Sequence, residues 1–203
     1  MTSEQTSWTG RLRALVDREL PTENLLPDEQ PIYVNSWVYV FGVATIAALV
    51  WVLATGVVLA FFGPQWWHLS GVGRFFNSMH FWSVQAFFAF MVVHLWVQYF
   101  GAGWRHGRAG TWMVGVLIFA ISIIAAFTGY LSQTNFDSQW IGVNAKDAIN
   151  STGGGSFFNV LNVGQMLGIH VVLVPAIVLA LVVIHLVMVR IRGVVKPIGE
   201  EAQ

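Results

Sequence analysis

The sequence predicts an all-α membrane protein, a bundle of four transmembrane helices preceded by an amphipathic surface helix. Three observations carry that prediction. Of the 203 residues, 56% are hydrophobic and only 10% charged, against about 25% charged in an average soluble domain. No charge falls between Gln30 and Gly73, Phe75 and Trp104, Ala109 and Phe136, or Ala148 and Val189. Each gap exceeds the ~20 residues that cross a bilayer as a helix. Finally, Lys and Arg gather in alternate connections, as they do around membrane spans. This composition excludes a soluble globule, a disordered chain and a nucleic-acid binder, which needs a basic face. The chain has no Cys, so it forms no disulfide, thiolate-bound zinc, iron–sulfur cluster or thioether-linked haem.

The elements follow in order. Residues 1–30 form a polar N-terminal segment in which Trp8, Leu12, Leu15 and Val16 recur at helical spacing, while Arg11, Arg13, Asp17 and Arg18 fall largely on other faces. That pattern describes a short helix lying on the membrane surface, ended by Pro21. It lacks the apolar core and small-residue cleavage site of a secretory signal. Residues 31–195 hold the four spans. Span A covers about Ser36 to Phe62 and stops at Gly63-Pro64; span B runs from about Ser78 to Phe100; span C from about Thr111 to Leu131; span D from about Gln165 to Val189. Asn135 to Asn162, with Asp137, Lys146, Asp147 and a run of glycines at 153–155, is too polar to cross and is expected on the surface as one or two short helices. Residues 196–203 form a tail. Arg11, Arg13, Arg18, Arg105, Arg108, Arg190, Arg192 and Lys196 share one side, and only Arg74 and Lys146 the other. The asymmetry puts both termini in the cytoplasm.

Ionisable side chains at membrane depth are costly and mark function. Of six His, four lie in spans: His80 and His94 in span B, His170 and His185 in span D. The separations, 14 and 15 residues, are about four turns, or ~21–23 Å along the axis. Spans B and D run the same way, so His80 matches His170 near the outer surface and His94 matches His185 near the cytoplasm. Two neutral imidazoles without a carboxylate or thiolate suit bis-histidine haem iron, whereas zinc wants four ligands. Hydrogen-bonded packing explains one such His more readily than four in matched pairs.

Glycines repeat the interval. Gly42 and Gly56 in span A, and Gly115 and Gly129 in span C, are also 14 apart. Glycine lets a flat ring approach the backbone, although small residues also serve plain helix packing. Arg108, at the start of span C, is placed to neutralise a propionate on the cytoplasmic haem, as is Arg105. His68 and His106 read as solvated loop residues, and Asp137, Gln139 and Gln165 as loop groups able to face a polar head group outside.

With these residues in view, positions 30–195 resemble the N-terminal, haem-bearing half of the cytochrome b family of bc and bf complexes. Ala54-Thr55-Gly56, Ser78-Met79-His80-Phe81-Trp82-Ser83, Thr111-Trp112, Thr128-Gly129-Tyr130, the four histidines and the four glycines carry the likeness. The 15-residue step from His170 to His185, and four spans in all, are similar to the split form in which a second subunit supplies the remaining helices. The resemblance implies two non-covalent b haems, the outer, lower-potential one on His80 and His170 and the inner, higher-potential one on His94 and His185. It also implies a quinol-oxidising Rieske–cytochrome b complex, dimeric in the family, in a prokaryotic plasma membrane. There, quinol oxidised outside gives one electron to a Rieske iron–sulfur protein, and so to a cytochrome c or other acceptor. The second electron crosses both haems to a cytoplasmic quinone site, and protons are translocated.

Several positions depart from the family pattern. Val40 stands where chloroplast-type relatives have the Cys of a c-type haem. Asn77 and Phe81 stand where Arg residues often meet propionates, leaving Arg74 as a candidate for the outer haem. Leu131-Ser132-Gln133 replaces Leu-Pro-Trp, and the Pro-Glu-Trp-Tyr quinol-site signature is absent. These departures point to a divergent bacterial or archaeal branch. The chain thus reads as the electron-transfer subunit of a quinol oxidoreductase. The alternatives are a dihaem anchor feeding quinol electrons to another reductase module and, in a different class, a haem-free scaffold or transporter. For a transporter the expected inverted repeat or broken helices are not visible.

Overall fold

A computed structural model describes residues 7–19 and 37–195. Ser36, Pro21, most of the polar N-terminal segment and the 196–203 tail lie outside the described residues. Helix α1 spans Trp8–Glu19, opened by Ser7, whose hydroxyl accepts the Gly10 N–H at 3.0 Å. Its apolar residues Trp8, Leu12, Leu15 and Val16 are all exposed. Four long helices follow: α2, Trp37–Leu69; α3, Gly71–Phe100; α4, Ala109–Leu131; and, after the shorter α5 at Phe136–Ser151, α6 at Val163–Arg192. These four long helices, and not α5, are apolar and long enough to span a bilayer. The chain is an integral membrane protein.

Local chemistry sets the boundaries. The expected stop of the first span at Gly63-Pro64 is a break inside α2. Gly63 takes φ 75°, a conformation open mainly to glycine, and a last turn then continues to Leu69. The next helix starts a full two turns earlier than expected. Ser70 caps it by accepting the Gly73 N–H, and glycine is required at 73 because a Cβ there would lie 2.3 Å from the Trp66 carbonyl oxygen. This close approach folds α2 and α3 into a tight antiparallel hairpin. Asn135 caps α5 through Ser138 N at 2.8 Å, and Asn162 caps α6 through Gln165 N at 3.0 Å.

Packing divides the bundle into two pairs. α2 lies along α3 and α4 along α6, and the pairs meet each other more sparsely. Their common core is one apolar layer at mid-height, formed by Ala48, Leu49, Phe87, Met91 and Ile118 with Leu181 and Val182 against it. Large side chains such as Val43, Phe61 and Trp82 face outward, as expected where lipid is the solvent. A second cluster, Leu131, Val160 and Met166 with Phe127, Ile149 and Phe158, ties α5 and its following loop to the ends of α4 and α6.

Helix α6 contains a feature the sequence reading did not anticipate, a π turn at Ile169–Leu173. Its cause is Pro175 at the start of the following α segment. Proline has no N–H for the carbonyl four residues back, Val171, and its ring crowds that carbonyl, so the helix accommodates one extra residue.

Candidate haem site

At about 100° per residue, a 14-residue step returns a side chain to within ~40° of its starting face. A 15-residue step overshoots by ~60° the other way. His80 and His94 on α3 have the shorter step and His170 and His185 on α6 the longer. The π turn, which includes His170, absorbs the extra residue. Both helices therefore present their histidines in register.

The outer pair is well defined. The His80 and His170 rings face each other with centroids 6.3 Å apart and planes at 87°. Two imidazoles on opposite sides of one metal ion, with metal–nitrogen bonds of about 2.0–2.1 Å, have centroids separated by about 6.3 Å. The separation thus fits one iron between them. The inner rings, His94 and His185, stand against Gly42 and Gly115 of the helices paired with their own. Among the described residues no group of three or more His, Asp or Glu comes together, so each site is a two-nitrogen donor set.

Each histidine is backed by one glycine of the helix paired with its own. A Cβ at Gly42 would lie 3.3 Å from His94 Cε1, at Gly56 3.2 Å from His80 Cε1, at Gly115 3.2 Å from His185 Cε1, and at Gly129 2.5 Å from His170 Cε1. The sequence reading gave these glycines to the flat macrocycle. Within the protein their nearest neighbours are the imidazoles, which stand where a Cβ would crowd them. The matching 14-residue intervals arise because each glycine sits level with its histidine.

Hydrogen bonds fix the outer rings. His80 Nδ1 is 3.0 Å from Thr55 Oγ1. The Thr55 hydroxyl already donates to the Trp51 carbonyl at 2.7 Å, so its lone pairs face the ring and His80 Nδ1–H is the donor. His170 Nδ1 donates to the Ala125 carbonyl at 3.0 Å, with Thr128 Oγ1 at 3.5 Å. Both Nε2 lone pairs are thereby left free to bind a metal. His185 Nδ1 is buried with no side-chain acceptor, and the Thr111 backbone near it lies outside good hydrogen-bond geometry. Thr55 and Thr128 belong to motifs that carry the family likeness, each directly before a site glycine, but the sequence alone assigns them no role.

Arg108 is the residue before α4 and is only 9% exposed, with its Nε buried and unpartnered. A buried guanidinium N–H without an acceptor is costly and suits an anionic group. Arg192, which the sequence reading did not single out, lies over Gly110 and donates to Thr111 Oγ1 at 3.2 Å. At the other end Arg74 donates to the His68 carbonyl at 3.3 Å. His68 is exposed but lies in the last turn of α2 and not in a loop, and its Nε2–H donates to the Gln133 carbonyl at 2.7 Å. Asn77 and Gln133, two of the positions that depart from the family pattern, form a reciprocal amide pair at 3.1 and 3.0 Å. Gln165 is drawn back into the chain, accepting the Asn159 N–H at 2.7 Å.

Fold and donor set together define a membrane-embedded four-helix bundle with facing imidazoles, a class whose chemistry fits haem iron. The chain belongs to the cytochrome b family, since residues 85–203 match the family model described as cytochrome b(N-terminal)/b6/petB, and membership implies haem b binding. It is 26% identical to the cytochrome b6 of Heliobacterium modesticaldum, over 78% of this chain and 85% of that protein. It is 25% identical to the menaquinol:cytochrome c reductase cytochrome b subunit of Geobacillus thermodenitrificans, over 96% of each. The chain spans 64% of the Heliomicrobium gestii cytochrome b6, at 26% identity. Its fold matches a solved hyperthermophilic respiratory complex III with a TM-score of 0.69 and 22% identity, covering 90% of this chain and 53% of that one.

Proposed function

We propose that this chain is the dihaem cytochrome b subunit of a quinol-oxidising, bc-type complex, carrying electrons across the membrane between an outer quinol-oxidation site and an inner quinone-reduction site. The observation that carries this reading is the His80–His170 pair, one ring from each half of the bundle, at a separation fitting a single iron. His80 and His170 hold the outer haem and His94 and His185 the inner one. Gly42, Gly56, Gly115 and Gly129 give the four rings room, and Arg108 offers its buried, unpartnered Nε–H to a propionate of the inner haem.

Each bound haem supplies a reversible one-electron couple. The chain's own work is to hold four neutral imidazoles upright and to keep the outer pair's protons on Nδ1. The mid-height layer of Ala48, Leu49, Phe87, Met91 and Ile118 keeps water out between the two levels. A low dielectric there lets nearby groups tune the potentials strongly. The names of the Heliobacterium and Geobacillus relatives support the assignment. On this reading the partners are a second cytochrome b subunit, a Rieske protein and a cytochrome c or similar acceptor, in a dimeric complex of a prokaryotic plasma membrane. The 31–195 segment is the membrane domain, and α1 and both termini lie on the cytoplasmic side.

A pyridine haemochrome assay on the purified complex, quantified per copy of this chain, tests the proposal. Two extractable b haems per chain are expected. A folded chain without haem refutes the redox reading, and one haem per chain refutes the second ligand pair.

A further inference from the structure

The residue before each site glycine is not the same at the two levels. Thr55 precedes Gly56 and Thr128 precedes Gly129, at the outer pair, whereas Phe41 precedes Gly42 and Val114 precedes Gly115, at the inner pair. The outer hydroxyls are sealed from solvent, Thr55 at 1% and Thr128 at 0% exposure. Each spends its proton on its own helix, Thr55 on the Trp51 carbonyl at 2.7 Å and Thr128 on the Ile124 and Ala125 carbonyls at 3.0 Å. Each therefore turns lone pairs toward an imidazole. At the inner level Phe41 and Val114 have no hydroxyl to offer, and His185 Nδ1 has only the Thr111 backbone near it, outside good hydrogen-bond geometry.

We propose that Thr55, assisted by Thr128, is a positioning residue that sets the electronic difference between the two haem sites by accepting the Nδ1–H of the outer histidines. The inference rests on the ligand assignment above and goes beyond it. An acceptor at Nδ1 fixes the tautomer and raises the basicity of the metal-binding Nε2. A more basic ligand favours ferric over ferrous iron, so the outer haem is held at lower potential than the inner one. Water is excluded from both hydroxyls, which strengthens the effect. Thr55 has the larger share because its oxygen is 3.0 Å from His80 Nδ1. Thr128 stands at 3.5 Å, and the Ala125 carbonyl already serves His170.

The test is an optical redox titration of the purified complex with wild-type chain, Thr55→Val, Thr55→Ser and Thr128→Val. Valine preserves the shape and removes the acceptor. In Thr55→Val the outer haem is expected to titrate at higher potential, its reduced-to-oxidised ratio at fixed ambient potential rising about threefold to tenfold, which is a shift of ~30–60 mV for a one-electron couple. The inner haem stays where it was, Thr55→Ser restores the wild-type value, and Thr128→Val shifts the outer haem in the same direction by less. An unchanged outer potential in Thr55→Val overturns the proposal, and so does an equal shift of both haems. If Thr55→Val loses the outer haem, Thr55→Ser decides. Retention at the wild-type potential supports the hydroxyl, and loss of haem there as well assigns the effect to the side chain's bulk and overturns it. Failure of the ligand assignment looks different, because a wild-type complex without two haems, or a His80→Ala variant that keeps the outer one, refutes that reading before any threonine is changed.

Discussion

Replacing Gly129 by alanine gives the sharpest test of how the bundle accommodates its histidines. A Cβ at 129 would lie 2.5 Å from His170 Cε1 and 2.9 Å from both ring nitrogens. The whole imidazole therefore stands in the way, not the end of a flexible chain. Restoring ordinary contact, 3.4–4 Å, requires a retreat of about 0.9 Å. The ring is tethered on that side by the 3.0 Å bond from Nδ1 to the Ala125 carbonyl, so the retreat strains or breaks the tether. Overpacking costs about 1–3 kcal/mol and the lost hydrogen bond about 0.5–1.5 kcal/mol. Together, about 1.5–4.5 kcal/mol weakens outer-haem binding by ~10- to 2000-fold. At Gly42, Gly56 and Gly115 the same substitution meets Cε1 at 3.2–3.3 Å, which a shift of a few tenths of an ångström relieves. Haem per chain and redox titrations of the four alanine variants provide the assay. Gly129→Ala is expected to lose most of the outer haem and keep the inner one, while the other three retain both. Two haems at unchanged potentials in Gly129→Ala, or an equal defect in Gly56→Ala, would refute the reasoning.

Other outcomes follow from the same geometry. His94→Ala removes the inner haem and leaves the outer one reducible; a spectrum in which both disappear together contradicts the pairing. The 87° angle between the outer ring planes predicts a strongly anisotropic low-spin ferric signal by electron paramagnetic resonance, and an ordinary rhombic signal from the outer haem would show that the rings turn parallel on binding. Asn77→Leu strands the partly buried Gln133 amide and costs about 1–3 kcal/mol, read as a lower thermal midpoint at a constant haem-to-chain ratio; an unchanged midpoint argues that the amide pair adds no stability. Deleting Leu173 together with Pro175→Ala turns the last helix into a regular α-helix with a 14-residue histidine step. This variant should keep both haems, and loss of the outer one would mean that the π turn does more than absorb a residue.

The long charge-free stretches made the four spans legible, because water cannot satisfy polar groups inside a bilayer. The histidine and glycine intervals were legible for a geometric reason, since residues at one level on neighbouring helices must repeat together along both. The π turn was not, because the sequence reading took the 15-residue step as a family trait and did not connect it with Pro175. The roles of Thr55 and Thr128 were hidden because threonine in an apolar helix ordinarily bonds its own backbone, which these residues also do. Only their position against the imidazoles shows the second use. His68 is exposed as expected, but it belongs to a helix and not a loop, because α2 continues past the Gly63 break to Leu69 and brings the ring to the Gln133 carbonyl. Asn77 and Gln133 were each noted as departures, but nothing in one sequence tells that two such positions touch.

The division of the bundle into two helix pairs also bears on how the protein is made. The α2–α3 hairpin leaves the ribosome first and packs closely through its glycine-lined turn, yet it carries only one histidine for each site. The second histidine of each pair arrives with α6, at the end of the membrane domain, and the two halves touch each other sparsely. On the proposed ligand assignment, bound cofactor acts as the clasp that joins the two helix pairs, and ligands that bind only the assembled state stabilise it by mass action. A cell short of haem should accumulate unclasped chains with parted hairpins, open to membrane proteases. The amount of subunit in the membrane is then expected to follow haem supply without any dedicated sensor, which quantifying the chain in haem-limited cells would check.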